Sequence, residues 1–484
     1  MADFEFVGGA YEAPSIYQDA QELINWRCEI DPNDAAKIVG QPPKRGIIAL
    51  YPTPGYTTKS QIVGGEVRGL HAISGGQELL AVIGNAIYTY DTLMNPTFIA
   101  LINTTSGHVG IDDNGVQVMI VDGQNRYSYT IATNAFALIP TSDGAFVGGG
   151  VVCAVDNYLV YNLPNSQQFA ATNGLSTVTP ALSFASKYGS PDNLVSIEVN
   201  NRIVYLLGEV STECWIDVGS FPFPFQLIAG SSSQHGCAAQ YSVARLGDSF
   251  AFLSKDSKGG GIICNMTGYA PTRISTHAVE QSILGKKIDD AVAWSYQLEG
   301  HECYVITFPA IDLTWQYDLS TGLWNKFMSS DSNGVYHRHR GNCAAYFAGM
   351  VLVGDYQNGS IYALDNSVYT ESGNPIKRLR RCPHITSDLQ RIFFEELQIQ
   401  FEPGVGIQSG QGQNPQCMLR WSNDGGSTWS NEYWRSIGNV GQYKNRAMWR
   451  RLGNARDRVF EVSITDPIKA VIISANLKAS VGDN

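Results

Sequence analysis

Leu80-Ala81-Val82-Ile83-Gly84-Asn85-Ala86-Ile87-Tyr88-Thr89-Tyr90-Asp91 is an apolar run, a short polar turn and a second apolar run closing on Asp. Gly-Asn between two such runs reads as a β-hairpin. The pattern returns at residues 116–129, 151–162, 202–217, 249–265, 303–318 and 350–365. The second half usually ends on Tyr or another apolar residue followed by Asp or Asn, whose side chain caps local backbone donors at a turn. Hairpins recurring roughly every 30 to 55 residues are the signature of propeller blades. A single blade cannot bury both faces, whereas a closed ring of blades buries them mutually and leaves only short edges. The expected fold is therefore all-β, a six- or seven-bladed β-propeller with a β-rich C-terminal extension. Six blades result if the second and third returns form one irregular pair, and an array of β-sandwiches is the competing architecture.

Bulk properties agree with short strands and many turns. The 484 residues are 44% hydrophobic but only 16% charged, with 49 Gly and 24 Tyr. Disorder is excluded, because such chains are charge-rich and apolar-poor. A net charge of −11 argues against a nucleic-acid reader, which needs a positive field. The acidic start Met1-Ala2-Asp3-Phe4-Glu5 lacks an apolar signal-peptide core, and no window is apolar enough to span a membrane. Nine dispersed cysteines without a CxxC pair read as reduced, buried thiols.

Three segments are expected: an N-terminal extended segment (1–45), the propeller core (46–370), and the C-terminal extension (371–484). The extension reads as part blade and part separate sheet, and whether it completes the propeller stays open. Its loop 403–415 is Gly- and Gln-rich and should be exposed. Helix is expected only at 17–29 and 277–285.

Candidate chemistry is sparse. Ser422-Asn423-Asp424-Gly425-Gly426-Ser427-Thr428-Trp429 fits the Asp-box S-x-D-x-G-x-T-W. In it Asp424 caps amides, Gly426 takes a φ that a Cβ opposes, and Trp429 packs beneath. Asp-boxes are common in sialidases, so a glycan-binding or sialidase-like propeller is the alternative. Against it, the sequence shows one box and no identifiable first-strand arginine motif. Lys377, Arg378, Arg380 and Arg381 form a basic cluster read as a protein-contact patch or solvated surface rather than a DNA site. His337 and His339 would share a strand face, but no third metal ligand lies nearby, and a polar surface strand is the better reading. Trp421, Trp429, Trp434 and Trp449 are expected to pack in a small sheet. No catalytic residue, cofactor or metal site is assigned.

Two regions together resemble a family. Ser15-Ile16-Tyr17-Gln18-Asp19-Ala20-Gln21-Glu22-Leu23-Ile24-Asn25-Trp26-Arg27-Cys28-Glu29 precedes Leu50-Tyr51-Pro52-Thr53-Pro54-Gly55-Tyr56. Further on come Trp315-Gln316-Tyr317-Asp318-Leu319-Ser320-Thr321-Gly322-Leu323-Trp324, the Arg420–Trp429 stretch, and Met448-Trp449-Arg450-Arg451-Leu452-Gly453. In this order they resemble the packaged-DNA stabilisation, or tail nozzle (tail hub), proteins of short-tailed bacteriophages. The resemblance implies a non-enzymatic virion tail protein, assembled in the host cytoplasm as a ring of six copies. The ring would sit beneath a portal-adaptor ring and contact tail needle, plug, fibre or tailspike proteins. Packaged DNA would pass through its lumen without sequence-specific binding and be retained until ejection.

Overall fold

The computed structural model describes residues 2–3, 6–30, 47–144, 148–255, 259–388 and 390–482. The opening hairpin forms the two middle strands of a four-stranded antiparallel blade, Val67–Ala72, Leu79–Ile83, Ala86–Tyr90 and Pro96–Leu101. All five residues of Leu79–Ile83 are buried. A strand covered on both faces loses the polar alternation and reads as a continuous apolar run, which is why it was visible in the sequence. At its turn Gly84 has φ +56°, and a Cβ there would meet the Gly64 carbonyl oxygen at 1.9 Å.

Six such blades follow in chain order. Blade 2 begins with Gly110–Asp113 and ends with Ala135–Ile139, and blade 3 begins with Val152–Val155 and ends with Phe184–Ser186. The second and third returns are thus separate sheets, and the propeller has seven blades. Blade 4 runs from Leu194–Asn200 to Phe225–Leu227, blade 5 from Ala244–Leu246 to Ala270–Arg273, and blade 6 from Val292–Leu298 to Leu323–Lys326. Blade 7 takes three strands from Gly341–Phe347, Met350–Asp355 and Gly359–Asp365, and its outermost strand from Gly55–Ile62 near the other end of the chain. Leu364 pairs with Tyr56 and Ala363 with Thr57, so the N-terminal side closes the circle. The C-terminal extension does not complete the propeller.

Each junction between neighbouring blades holds its own apolar cluster. Blades 7 and 1 meet through Leu352, Ile361, Leu79 and Ile83, and blades 2 and 3 through Met119, Val121, Leu159 and Tyr161. Burying each such side chain is worth about 1.5–3 kcal/mol, and a closed ring spends none of these faces on solvent. The expected Asp caps are in place: Asp91 accepts from the Leu93 and Asn95 amides, Asp318 from Ser320, and Asp365 from Ser367.

The extension folds into a two-sheet sandwich. One sheet contains Trp26–Ile30, Ile47–Pro52, Ile472–Val481, Ile392–Phe401 and Ala447–Arg450. The other contains Glu22–Ile24, Arg378–Arg381, Asp457–Ile464, Gln416–Ser422 and Tyr433–Ser436. Between them lie Trp26, Phe394, Leu397, Trp449, Phe460 and Val462. The second sheet is continuous with blade 6, because Ile24 pairs in parallel with Lys326.

The helix expected at 17–29 is instead two strands, one in each sandwich sheet. Asn25 breaks them apart with φ +57°, and its amide group donates to the carbonyls of Met328 and Lys377 and accepts from the Met328 amide. The described part of the N-terminal segment is therefore an integral strap rather than a separate extended arm. The second expected helix forms as His277–Ile283. Within the loop 403–415, residues 407–411 are exposed, while Gly412 and Pro415 are buried. All nine cysteines are unpaired, and no helix among the described residues is long and apolar enough to cross a membrane.

Candidate functional site

The Asp-box closes as its residue types require. Asp424 Oδ1 accepts from the Ser422 hydroxyl at 2.6 Å and the Thr428 amide at 2.8 Å, and Oδ2 accepts from the Thr428 hydroxyl at 2.6 Å. Ser422 Oγ in turn accepts from the Gly426 amide, whose residue has φ +102°. The hydrogen bonds from Ser422 and then Thr428 hold the Asp424 carboxyl down at about 2. Trp429 lies under two guanidinium groups, Arg420 at 4.7 Å and Arg381 at 4.9 Å from its ring centre.

That second arginine belongs to the basic cluster, and here the surface-patch reading is corrected. Arg378–Arg381 is an inner strand, hydrogen-bonded on one side to Glu22–Ile24 and on the other to Asp457–Ile464. Arg378 and Arg380 are fully buried. Arg380 donates to the carbonyls of Phe6 and Gly9 and to Gln21, fastening the N-terminal strap. Arg381 bridges Glu22 at 3.1 Å and Glu461 at 2.8 Å. Although burial works against its charge, Glu22 is held below the usual carboxylate range by Lys326 and Arg381. Lys377 donates to the Gly334 carbonyl and covers the Tyr336 ring. Arg378 sits at the seam of propeller and sandwich, where none of its three nitrogens has a hydrogen-bond partner. Desolvation pulls that guanidinium down to about 10. Nearby Glu371, accepting from Ser329, is pushed up to about 7 by burial. The carboxylates that neutralise this strand lie some 80 to 360 positions away in sequence, so no local signal marks it as internal.

His337 and His339 do not form one site. His337 Nδ1 meets Asp312 at 2.7 Å near the surface. His339 is buried, stacked on Phe327 with ring centres 4.0 Å apart, and accepts from the Gly341 amide. Burial drives its pKa down to about 3, so half of the expected polar surface strand is core. Of the four tryptophans, Trp449 is buried and Trp421 half-buried against the sandwich core, but Trp434 is exposed.

The structure assembles one cluster that sequence spacing could not reveal. His71 on the inner strand of blade 1 lies 2.6 Å from Asp113 and 4.0 Å from Asp112 on the inner strand of blade 2. Among the described residues this is the group with metal-ligand geometry. Its carboxylates are already engaged: Asp113 accepts from the amides of Ser74 and Gly115, and Asp112 from Ala154. The trio ties the inner strands of blades 1, 2 and 3 together. It borders an axial cavity of about 430 Å³ shared with Glu198, Tyr241 and Arg245. Burial pushes the Glu198 carboxyl up to about 7.

The architecture defines a class: a seven-bladed propeller strapped to a β-sandwich, whose polar clusters are spent on holding strands and domains together. Within that class, the chain belongs to the bacteriophage P22 Gp10 family. The family's β-propeller model matches residues 38–369, and its β-sandwich model matches residues 377–480. It is accordingly a phage structural protein of the virion tail. No curated protein sequence matches the chain. Among solved structures it is similar to the N-terminal domain of Nup159, at 12% identity and TM-score 0.42, covering 64% of this chain and 95% of that one. The WD40 β-propeller domain of Doa1 gives 8% identity and TM-score 0.40, covering 64% and 97%.

Proposed function

We propose that the protein forms a ring of six copies at the distal end of the phage tail. The ring prolongs the DNA channel below the portal-adaptor ring and helps retain packaged DNA until ejection. The observation that carries this reading is the family match over both domains in order. The net charge of −11 supports it, since a strongly negative ring repels duplex and lets it slide. In this role the protein is non-enzymatic, takes no cofactor, and meets the adaptor above and needle, plug, fibre or tailspike proteins around it. Assembly takes place in the host cytoplasm. The propeller closes its own blades, so free subunits lack a long edge demanding a partner. A template that presents two contacts at once raises effective concentration. The isolated chain should therefore sediment as a monomer at micromolar concentration and form rings on portal–adaptor complexes. Analytical ultracentrifugation with and without those complexes, followed by electron microscopy of the product, is the test. Failure to join tails in any oligomeric form overturns the reading.

A further inference from the structure

Beside the axial cavity, His71, Asp112 and Asp113 set two carboxylates against one imidazole. Among the described residues no Lys or Arg forms an ion pair with either carboxylate. Arg68, on the same cavity wall, is spent on the carbonyls of Gly84, Thr104, Ser106 and Gly107. Glu198 adds a third carboxyl to that wall. Negative charge withdrawn from bulk water without a cationic partner is costly, and a bound cation offsets that cost. A second observation points the same way. Ser196, only 1% exposed, lines this cavity and carries a hydroxyl with no hydrogen-bond partner.

The ligand atoms of the trio all lie within 4.8 Å of one another. A divalent first-row ion bound at about 2.0–2.2 Å from nitrogen and oxygen spaces its ligand atoms about 3–4 Å apart. The 4.0 Å between His71 Nε2 and Asp112 Oδ1 suits such an ion. The 2.6 Å contact of His71 Nε2 with Asp113 Oδ2 is the hydrogen bond that the ion replaces, its proton passing to water as the ring draws back. Both carboxylates are already aimed by backbone amides, Asp112 by those of Asp113 and Ala154, Asp113 by those of Ser74 and Gly115. Outer hydrogen bonds of this kind orient metal ligands. Asp112 still has about two of its four acceptor positions open. The site is reachable, since the side chains of His71 and Asp112 are 19% and 30% exposed. Cys153, also on the wall, is occupied by donating to the Ile197 carbonyl. The donor set is thus one imidazole with oxygens, which suits Zn2+ or Mn2+ better than Ca2+ or Mg2+.

We infer that His71, Asp112 and Asp113 bind one structural Zn2+ or Mn2+ ion, which pins the inner strands of blades 1, 2 and 3 at the propeller axis. The site lies within one chain and is independent of the ring. Full-length chain stripped with EDTA is titrated with Zn2+ and with Mn2+ by calorimetry, with metal content read by mass spectrometry. One ion per chain and a raised melting temperature are expected. His71→Ala and Asp112→Asn should each weaken binding at least tenfold. His337→Ala, which removes a surface imidazole paired with Asp312, should bind normally. X-ray absorption of the metal-loaded wild-type chain gives a readout that does not depend on variants folding, and it should show nitrogen and oxygen neighbours without sulfur. No stoichiometric binding of either ion, sulfur neighbours, or full binding by His71→Ala and Asp112→Asn overturns the site and leaves the trio a hydrogen-bonded clamp.

Discussion

At the scale of single residues, the ionisable groups pull stability in opposite directions with pH. Asp424 has its carboxyl held near 2 by Ser422 and Thr428. A depressed carboxyl contributes stability above its unfolded value, and that contribution is lost as pH falls through the folded one. Asp424→Ala should lower the melting temperature at neutral pH, and the deficit should vanish toward pH 2. Loss of assembly at an unchanged melting temperature would instead make the turn a contact site. Glu371 is the reverse case, pushed up to about 7 by burial. Its contribution is present below the ordinary carboxylate range and is lost as pH rises toward 7, because the folded chain holds a proton the unfolded chain has released. Glu371→Gln should therefore flatten the stability profile between about pH 4.5 and 7, read by denaturant titration at several pH values. A profile that keeps its slope in the variant would assign the slope to Glu198, whose carboxyl is also near 7.

Among the elements, the N-terminal strap shows most clearly what joins the two domains. Asn25 turns the chain from one sandwich sheet to the other, makes three buried-side hydrogen bonds, and spans propeller and sandwich through Met328 and Lys377. Asn25→Ala removes those bonds and places a Cβ-only residue at positive φ. We expect a loss of about 2–4 kcal/mol, with the sandwich melting before the propeller in calorimetry. One unshifted cooperative transition would show that the strap is dispensable. This same element explains where sequence reading stopped. Blade hairpins were legible because their middle strands bury both faces, so Leu79–Ile83 or Met350–Asp355 announce themselves as apolar runs bounded by Asp, Gly and Asn. The Asp-box was legible because every one of its bonds is local. Residues 17–29 misled because Leu23, Ile24, Trp26 and Cys28 mark burial without a clean period, and the switch at Asn25 resets the alternation. His71 and Asp113 meet only because blades 1 and 2 are neighbours.

For the whole molecule, the fate of the basic cluster decides how DNA should see the surface. Read along the chain, Lys377 to Arg381 offered the one dense positive run; in the fold Arg378 and Arg380 are buried and Arg381 is held by Glu22 and Glu461. These guanidinium groups are structural and cannot reach phosphates without dismantling the strap. What remains is a chain with net charge −11. Phosphate binding releases counterions, and the logarithm of affinity falls with the logarithm of salt at about −0.9 per phosphate neutralised on duplex DNA. A wall that lets duplex slide should neutralise few phosphates. For the proposed ring we therefore expect weak duplex binding and a log–log salt slope no steeper than about −2, measured by fluorescence anisotropy across a salt series. Arg381→Gln should leave that slope unchanged while lowering the melting temperature. A steep slope would mean that lysines and arginines from several copies converge on the DNA, and it would overturn the repelling, sliding channel of the proposed function.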